Sequence, residues 1–486
     1  MLRKILDIYS KMNIQVKVVF WFTFVGFLQR GISLLTTPIF TRVLSTEEYG
    51  IFNVFTAWMS TFAIIVTLNL HSGVINNAFT KTKYSHEKIV STFQSLSLIT
   101  SLVFFVLSLI FQKQLAILLN IPEILVFFLF LGFLFMEPYQ NWLIYKRYQY
   151  DYKVSLVFTC IISLLTPIVS LISLLFFRDY RGEVRVISYV IVNTIIPGLI
   201  FYVINYKKDR TFYCKDLWNY AISFNLPLIP HYLSETILNQ TDKIMINAYF
   251  GTSQTAIYSV ANSAASIIQL FTSALNIAFV PWQYQKLKDQ NYDTLAKAAY
   301  FVLIALATIL LVMILFAPEV IMVLADSSYN DAIFLIPTLA ASVFFNYMYQ
   351  IFSRFEMYYE RKIYTVIATF VAMVVNIGLN MLLMPIMGYI AAGYSTLIAH
   401  IIFCIMHFIF YKKVCHEFIP NKTVYNGKVI FIISFIVLLL SFILVLIYDY
   451  LFIRIGVLIT LFIMAFLYRN HLIRLFKKYF MSGGRV

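Results

Sequence analysis

Four charged residues lie inside long apolar stretches of this sequence: Arg30, Glu235, Asp242 and Lys243. A fifth, Glu137, stands next to Pro138 in another such stretch. In hydrocarbon each would cost roughly 2.5–3.5 kcal/mol even on a lenient insertion scale, so each needs a partner or water. The chemistry open to them is pairing, contact with an ion of opposite charge, or exchange of a proton or cation. Catalysis has little to work with. Glu47 and Glu48 alone are a poor acid–base set, and no GxxxxGK[ST] phosphate loop occurs. We therefore expect no enzyme.

Polar residues accompany these charges at helical spacing. At 100° per residue, Gly26, Arg30, Ser33 and Thr37 share one face, and so do Asn53, Ser60, Thr67 and His71. His231, Glu235, Asn239 and Asp242 form a third stripe, and Asn262, Ser266, Gln269, Ser273 and Asn276 a fourth. Ser, Thr and Gly also line ordinary contacts between membrane helices, which accounts for any one of the hydroxyls. Packing does not account for the charges. The four faces read as the walls of an aqueous cavity between two lobes, with a purely structural Arg30–Glu235 pair as the competing reading. Asp242 and Lys243 point about 100° apart, so one of the two can serve the lobe interior instead. Glu137 is open between a hydrogen bond at the Pro138 kink and a proton site. His400 and His407 read as satisfied packing residues, and Asn376 and Asn380 as interhelical hydrogen bonds.

The elements that carry these residues are membrane helices. Of 486 residues, 61% are hydrophobic and only 12% charged, half the share of a typical soluble chain. Apolar runs long enough to cross about 30 Å of hydrocarbon recur throughout. Fourteen spans are expected, at 14–43, 48–80, 88–112, 122–146, 154–177, 184–206, 217–250, 253–284, 296–317, 330–353, 362–385, 388–411, 428–448 and 450–468. Pro227 and Pro230 should interrupt the seventh. The basic N-terminus (Arg3, Lys4, Lys11, Lys17) leads into a first run too long for a signal-peptide core, so that helix is expected to be retained. The 34 Tyr and 47 Phe are expected mostly in interfacial belts and on lipid-facing surface.

The net charge of +15 does not point to nucleic acid, because Lys and Arg cluster between apolar runs rather than on one face. Alternate connections and the two termini hold 29 cations, and the opposite set holds six, including the mixed cluster Arg178, Arg181 and Arg185. By the positive-inside rule both termini are cytoplasmic, which requires an even number of spans. The four cysteines, Cys160, Cys214, Cys404 and Cys415, show no metal-ligand spacing, and no metal or cofactor is expected.

A shift of 206 residues aligns Leu44–Phe52 with Phe250–Tyr258, two tight turns between long helices. It also places Asn53, Thr56, Ser60 and Thr67 on Ser259, Asn262, Ser266 and Ser273. Two pseudo-symmetric six-helix lobes of like orientation follow, at 1–207 and 208–420, with two further helices and a basic tail in 421–486.

The segment Pro38-Ile39-Phe40-Thr41-Arg42-Val43-Leu44-Ser45 with Glu48-Tyr49-Gly50 resembles the first outer turn of Wzx-type O-antigen and polysaccharide flippases. Phe224-Asn225-Leu226-Pro227, Asp242-Lys243, Ala256 through Ala261 and Phe279-Val280-Pro281-Trp282 are similar to that family's seventh and eighth helices, although the family usually keeps Gly at Ala256. Asn376, Asn380, Pro385 and Gly388 through Gly393 match later helices. The resemblance implies an all-α polytopic membrane protein with the fold of the multidrug and toxin extrusion (MATE) exporters in the MOP superfamily. It implies a bacterial inner-membrane protein that moves an undecaprenyl-pyrophosphate-linked oligosaccharide from the cytoplasmic to the outer leaflet by alternating access. Membrane lipid is the other expected partner, with polysaccharide polymerase and chain-length regulator as further ones. In this setting Arg30 would meet the pyrophosphate, Lys243 and Arg42 would help, and Glu235 would hold Arg30 when no substrate is bound. The cavity set is then Arg30, Ser33, Thr37, Arg42, Asn53, Ser60, His231, Glu235, Asn239, Lys243, Asn262 and Gln269. The ion-coupling candidates are Glu137, Glu235 and Asp242. The rival reading is a cation-coupled multidrug exporter on the same fold, which would favour acidic cavity residues.

Overall fold

The computed structural model describes residues 14–419, 423–467 and 469. Arg3, Lys4, Lys11, Lys422 and the basic tail past residue 469 lie outside the described residues. Among those described, every regular element is a helix. This follows from a bilayer solvent, in which backbone polar groups are satisfied within each segment. Ten stretches among the described residues are long and apolar enough to cross a membrane, and one of them, Lys362–Phe418, holds two helices joined by a single 3-10 turn. We propose fourteen spans in all.

The chain divides into two compact units, Met1–Ala256 and Ile257–Val486. We propose that the repeat divides the chain separately, into lobes at 1–207 and 208–420 followed by 421–486. In the first unit the helices are α1 (Ile14–Val43), α2 (Thr46–Val66), α3 (Val74–Lys81), α4 (His86–Ile110), α5 (Gln112–Leu119), α6 (Glu123–Tyr148), α7 (Tyr152–Phe176), α8 (Arg181–Val190), α9 (Ile196–Lys208), α10 (Lys215–Asn225) and α11 (Ile229–Phe250). The division falls inside α12 (Thr252–Lys288). α1 packs along α7, α4 along α6, and α11 along α2. One core gathers Phe55, Leu125, Leu129, Phe133 and Val186, and a second gathers Val74, Ile75, Phe93 and Leu217.

The two turns aligned by the repeat are built differently. Ser45 caps α2: its hydroxyl accepts from the Glu48 N–H while the Glu48 carboxylate accepts from the Ser45 N–H. The second turn instead uses Gly251 at φ 90°, a conformation open to glycine. The two turns also meet. The Thr46 hydroxyl donates to the Ser253 hydroxyl at 3.2 Å, and a Cβ on Gly50 would lie 1.9 Å from the Thr252 carbonyl oxygen. Glycine at position 50 is therefore a requirement of backbone contact.

The second unit adds α13 (Tyr292–Leu315), α14 (Ala317–Leu324), α15 (Ile336–Tyr358), α16 (Lys362–Met387), α17 (Ala391–Phe418), α18 (Gly427–Ile443) and α19 (Leu451–Leu467). α15 and α17 are its most extensive pair. The Asn376 amide donates to Thr396 Oγ1 at 3.2 Å, the interhelical bond expected of it. Tyr329, Tyr347, Tyr411 and Tyr425 are fully buried, so the aromatics also fill the interior and are not confined to belts. Arg454 ties α19 to α14 through Glu319 at 2.6 Å.

Candidate functional site

Two breaks in the helices of the first unit create the site. The second expected span is not one helix over 48–80. α2 ends at Val66, Leu68 and Asn69 take left-handed φ of 57° and 48°, and a single 3-10 turn over Leu70–Ser72 leads to α3. Left-handed backbone is rare for a residue such as Leu and persists only where the surroundings impose it. Asn225 imposes it here. Its side-chain amide donates to the Leu68 carbonyl and, at 3.2 Å, to the Asn69 carbonyl. Ser72 closes the turn by donating to Asn69 Oδ1 at 2.6 Å.

Asn225 is itself the last residue of α10, just before the one-turn 3-10 segment Leu226–Leu228 that contains Pro227. The break expected at Pro227 thus supplies the side chain that stabilises the unexpected break at 67–73. The two interruptions form one junction. The carbonyls freed at Leu68 and Asn69 are satisfied by the side chain at the other break, as membrane backbone requires.

The break projects His71 toward α6. Its Nδ1 lies 2.8 Å from Glu137 Oε1, with side-chain exposures of 28% for His71 and 1% for Glu137. Glu137 therefore pairs with an imidazole 66 residues earlier instead of bonding at the Pro138 kink. The Pro138 carbonyl is taken by the Asn205 amide at 3.0 Å. Glu137 Oε2 makes no hydrogen bond among the described residues, so the carboxyl keeps one oxygen for a proton or a water.

His71, Ser72 and Gln140 are shared by two adjoining cavities of about 420 and 440 Å³. The first extends to Ser60 on α2 and to Tyr232, Glu235 and Thr236 on α11. The second runs past Asn76 to Arg147 and Tyr148 at the basic end of α6. The Arg147 guanidinium lies over the Phe22 ring, 4.5 Å from its centroid, which fixes its plane and leaves its edge for hydrogen bonding. The combined cavity has a cation at one end, a carboxylate at the other, and an imidazole–carboxylate pair in its wall. It can hold an anionic group at Arg147 and a proton at His71–Glu137.

Of the residues picked out by sequence, Ser60 and Glu235 line this cavity and Glu137 backs its wall. Asn239 is exposed and donates to the Glu235 carbonyl at 2.7 Å, while His231 and Lys243 are half-buried and Asp242 is buried. On α1, Arg30 and Arg42 are exposed, and Arg42 donates to the Pro38 carbonyl at 2.9 Å. Ser33 faces a different pocket. Thr37 and Asn53 are buried and donate to the Ser33 and Tyr49 carbonyls of their own helices. Asn262 and Gln269 belong to the second unit, half-buried and exposed respectively. Gln140, Arg147, Asn76 and Tyr232 went unread. A signal existed for two of them, since Glu137, Gln140, Ile144 and Arg147 follow one helical stripe of three and four.

The family described as polysaccharide biosynthesis protein matches residues 16–287, and the family described as MatE matches residues 227–382. A Haemophilus influenzae protein called Lsg locus putative protein 1 is 22% identical over 341 residues, covering 68% of this chain and 82% of that one. Among solved structures, the lipid II flippase MurJ in an inward closed conformation has a TM-score of 0.67 at 16% identity, covering 92% of this chain and 99% of its own. An inward-facing multidrug resistance MATE transporter of the MOP superfamily has a TM-score of 0.62 at 14% identity, over 81% of this chain and 96% of its own. At these identities the likeness is one of fold.

Proposed function

We infer from one premise, that the chain belongs to the polysaccharide biosynthesis protein family, that it is a flippase for an undecaprenyl-pyrophosphate-linked oligosaccharide. It carries the substrate from the cytoplasmic to the outer leaflet of the bacterial inner membrane by alternating access, with both termini cytoplasmic. The observation that supports this reading is the polar cavity running from Glu235 past His71–Glu137 to Arg147 at the basic end of α6. A sugar head and dianionic linkage cannot cross hydrocarbon, and they need a wet, hydrogen-bonding path while the lipid tail stays in the bilayer.

Arg147 is the cation the pyrophosphate meets first, with Asn76 and Gln140 beside it. Arg30, Arg42 and Lys243 are later contacts, and Ser33, Thr37, Asn53, Ser60, His231, Asn239, Asn262 and Gln269 complete the proposed path. Two negative charges moving outward gain about 2.3 kcal/mol each per 100 mV of interior-negative potential. Glu235, Asp242 and the His71–Glu137 pair are the groups through which a proton or cation would couple the return step. The junction at Leu68, Asn69 and Asn225 is the point about which the broken helices re-aim.

Deleting the gene in its native host should abolish surface polysaccharide and leave single lipid-linked repeat units on the cytoplasmic face. Unchanged polysaccharide with new sensitivity to cationic drugs would favour an exporter, which the cavity carboxylates Glu235 and Glu137 suit.

A further inference from the structure

The two halves of the cavity in the first unit differ in charge. Arg147 stands at one end and Glu235 at the other, and His71, Ser72 and Gln140 line both halves. No Lys or Arg is among the described residues that line the Glu235 half. Its other ionisable groups, His71 and the Glu137 behind it, already face one another at 2.8 Å. Glu235 is exposed, and its carboxylate has no hydrogen bond or ion pair among the described residues. A carboxylate walled by membrane helices is costly unless water or a cation stands beside it.

Hydrogen-bonding groups converge on the same half. The Tyr232 and Thr236 hydroxyls and the Gln140 amide line it, and none has a side-chain hydrogen bond to a described residue. The Ser60 hydroxyl donates to the Thr56 carbonyl at 2.8 Å, which leaves its oxygen to accept. Ala63, Ile64 and Met136 add an apolar patch to the wall. Hydroxyl and amide groups beside an apolar patch suit a sugar ring, which carries polar groups at its edge and C–H groups on its face. The volume of about 420 Å³ lies within the roughly 300–1,000 Å³ of small-molecule sites.

We propose that the Glu235 half binds an amino sugar, with its ammonium on the Glu235 carboxylate, and selects it over neutral and acidic sugars. The proposal rests on the flippase reading, which puts the pyrophosphate at Arg147, and it adds the charge of the sugar that follows. An ammonium gives Glu235 its counter-charge and a charge-assisted hydrogen bond, roughly twice as strong as a neutral one. A neutral sugar offers only hydroxyls to that carboxylate, and a uronic acid brings a second negative charge against it. Arg147 and Glu235 thus read opposite charges on one head group.

The test is protection of introduced thiols in the full-length detergent-solubilised chain. Leu143→Cys reports on the Arg147 half and Ala63→Cys on the Glu235 half. Labelling at each is followed by peptide-resolved mass spectrometry, with native Cys214 as internal reference. The probes are farnesyl-pyrophosphate-linked glucosamine, glucose and glucuronate. At residue 63 the half-protecting concentration should rise in that order, by at least about tenfold from glucosamine to glucuronate. Glu235→Gln should bring the three within about threefold of one another. The order in the chain that keeps Glu235 tests the proposal even if that variant fails to fold. Equal protection by glucosamine and glucose, or by all three, would overturn the proposal, and so would an order that survives Glu235→Gln. In each of these cases protection at residue 143 leaves the pyrophosphate placement and the flippase reading standing. No protection at residue 143 by any probe would remove that placement, and this proposal with it.

Discussion

Among the described residues each unit holds an imidazole–carboxylate pair of nearly identical geometry, and the surroundings of the two are opposite. In the first, His71 Nδ1 meets Glu137 Oε1 at 2.8 Å, and in the second His407 Nδ1 meets Glu356 Oε1 at 2.8 Å. His407 and Glu356 are both fully buried on uninterrupted helices, with the His407 ring stacked on Tyr349 and edge-on to Phe403. Glu356 keeps its second oxygen engaged with the Thr365 hydroxyl at 3.3 Å. His71 stands on a broken helix beside a cavity, and the second oxygen of Glu137 makes no hydrogen bond among the described residues. We propose that the fully buried pair is a structural bolt and the pair beside the cavity an exchangeable proton site, so that access, more than residue type, decides the role.

The largest expected effect sharpens this contrast. Glu356→Ala leaves His407 buried without its partner, and breaking such a pair costs about 3–5 kcal/mol. Folded yield and thermal stability should collapse while transport per folded molecule holds. Glu137→Gln should do the reverse, with near-normal yield and transport reduced at least tenfold in a complementation assay. If the two substitutions lower yield and transport alike, the distinction fails.

Next in size is the junction that produces the access. Asn225→Ala removes both donors to the Leu68 and Asn69 carbonyls, and orphaned buried acceptors cost roughly 1–3 kcal/mol. Amide hydrogen exchange should rise over residues 67–73 and stay unchanged across α15. Protection retained at 67–73 would show that the break holds itself. Smaller still is the contrast between two glycines. Gly50→Ala forces a Cβ toward the Thr252 carbonyl and should lower stability measurably, whereas at Gly73 the nearest atom is the movable Tyr232 hydroxyl at 3.3 Å. Equal melting temperatures for the two variants would contradict the close backbone contact between the repeat turns.

What was legible in the sequence follows from the range of the forces involved. Apolar runs and polar stripes are local, so the helices and the faces bearing Ser60 and Glu235 could be read directly. So could the break at Pro227, since proline acts on its own chain. The break at 67–73 carries no such mark, because Leu68 and Asn69 are held by a side chain more than 150 residues away. His71 and Glu137 were each visible, but their pairing depends on that break. Arg185 shows the same blindness: next to Arg178, Arg181 and Glu183 it reads as loop charge, and only packing places it between Phe40 and Phe52.

The most direct measurement is flipping of a lipid-linked oligosaccharide in proteoliposomes by the wild-type chain and by Arg147→Glu. Arg147 is the cation of the cavity and does not belong to the helix junction, so the variant should fold normally and lose at least nine-tenths of the flipping rate. Undiminished flipping by a folded Arg147→Glu protein would contradict the placement of the anionic linkage in this cavity.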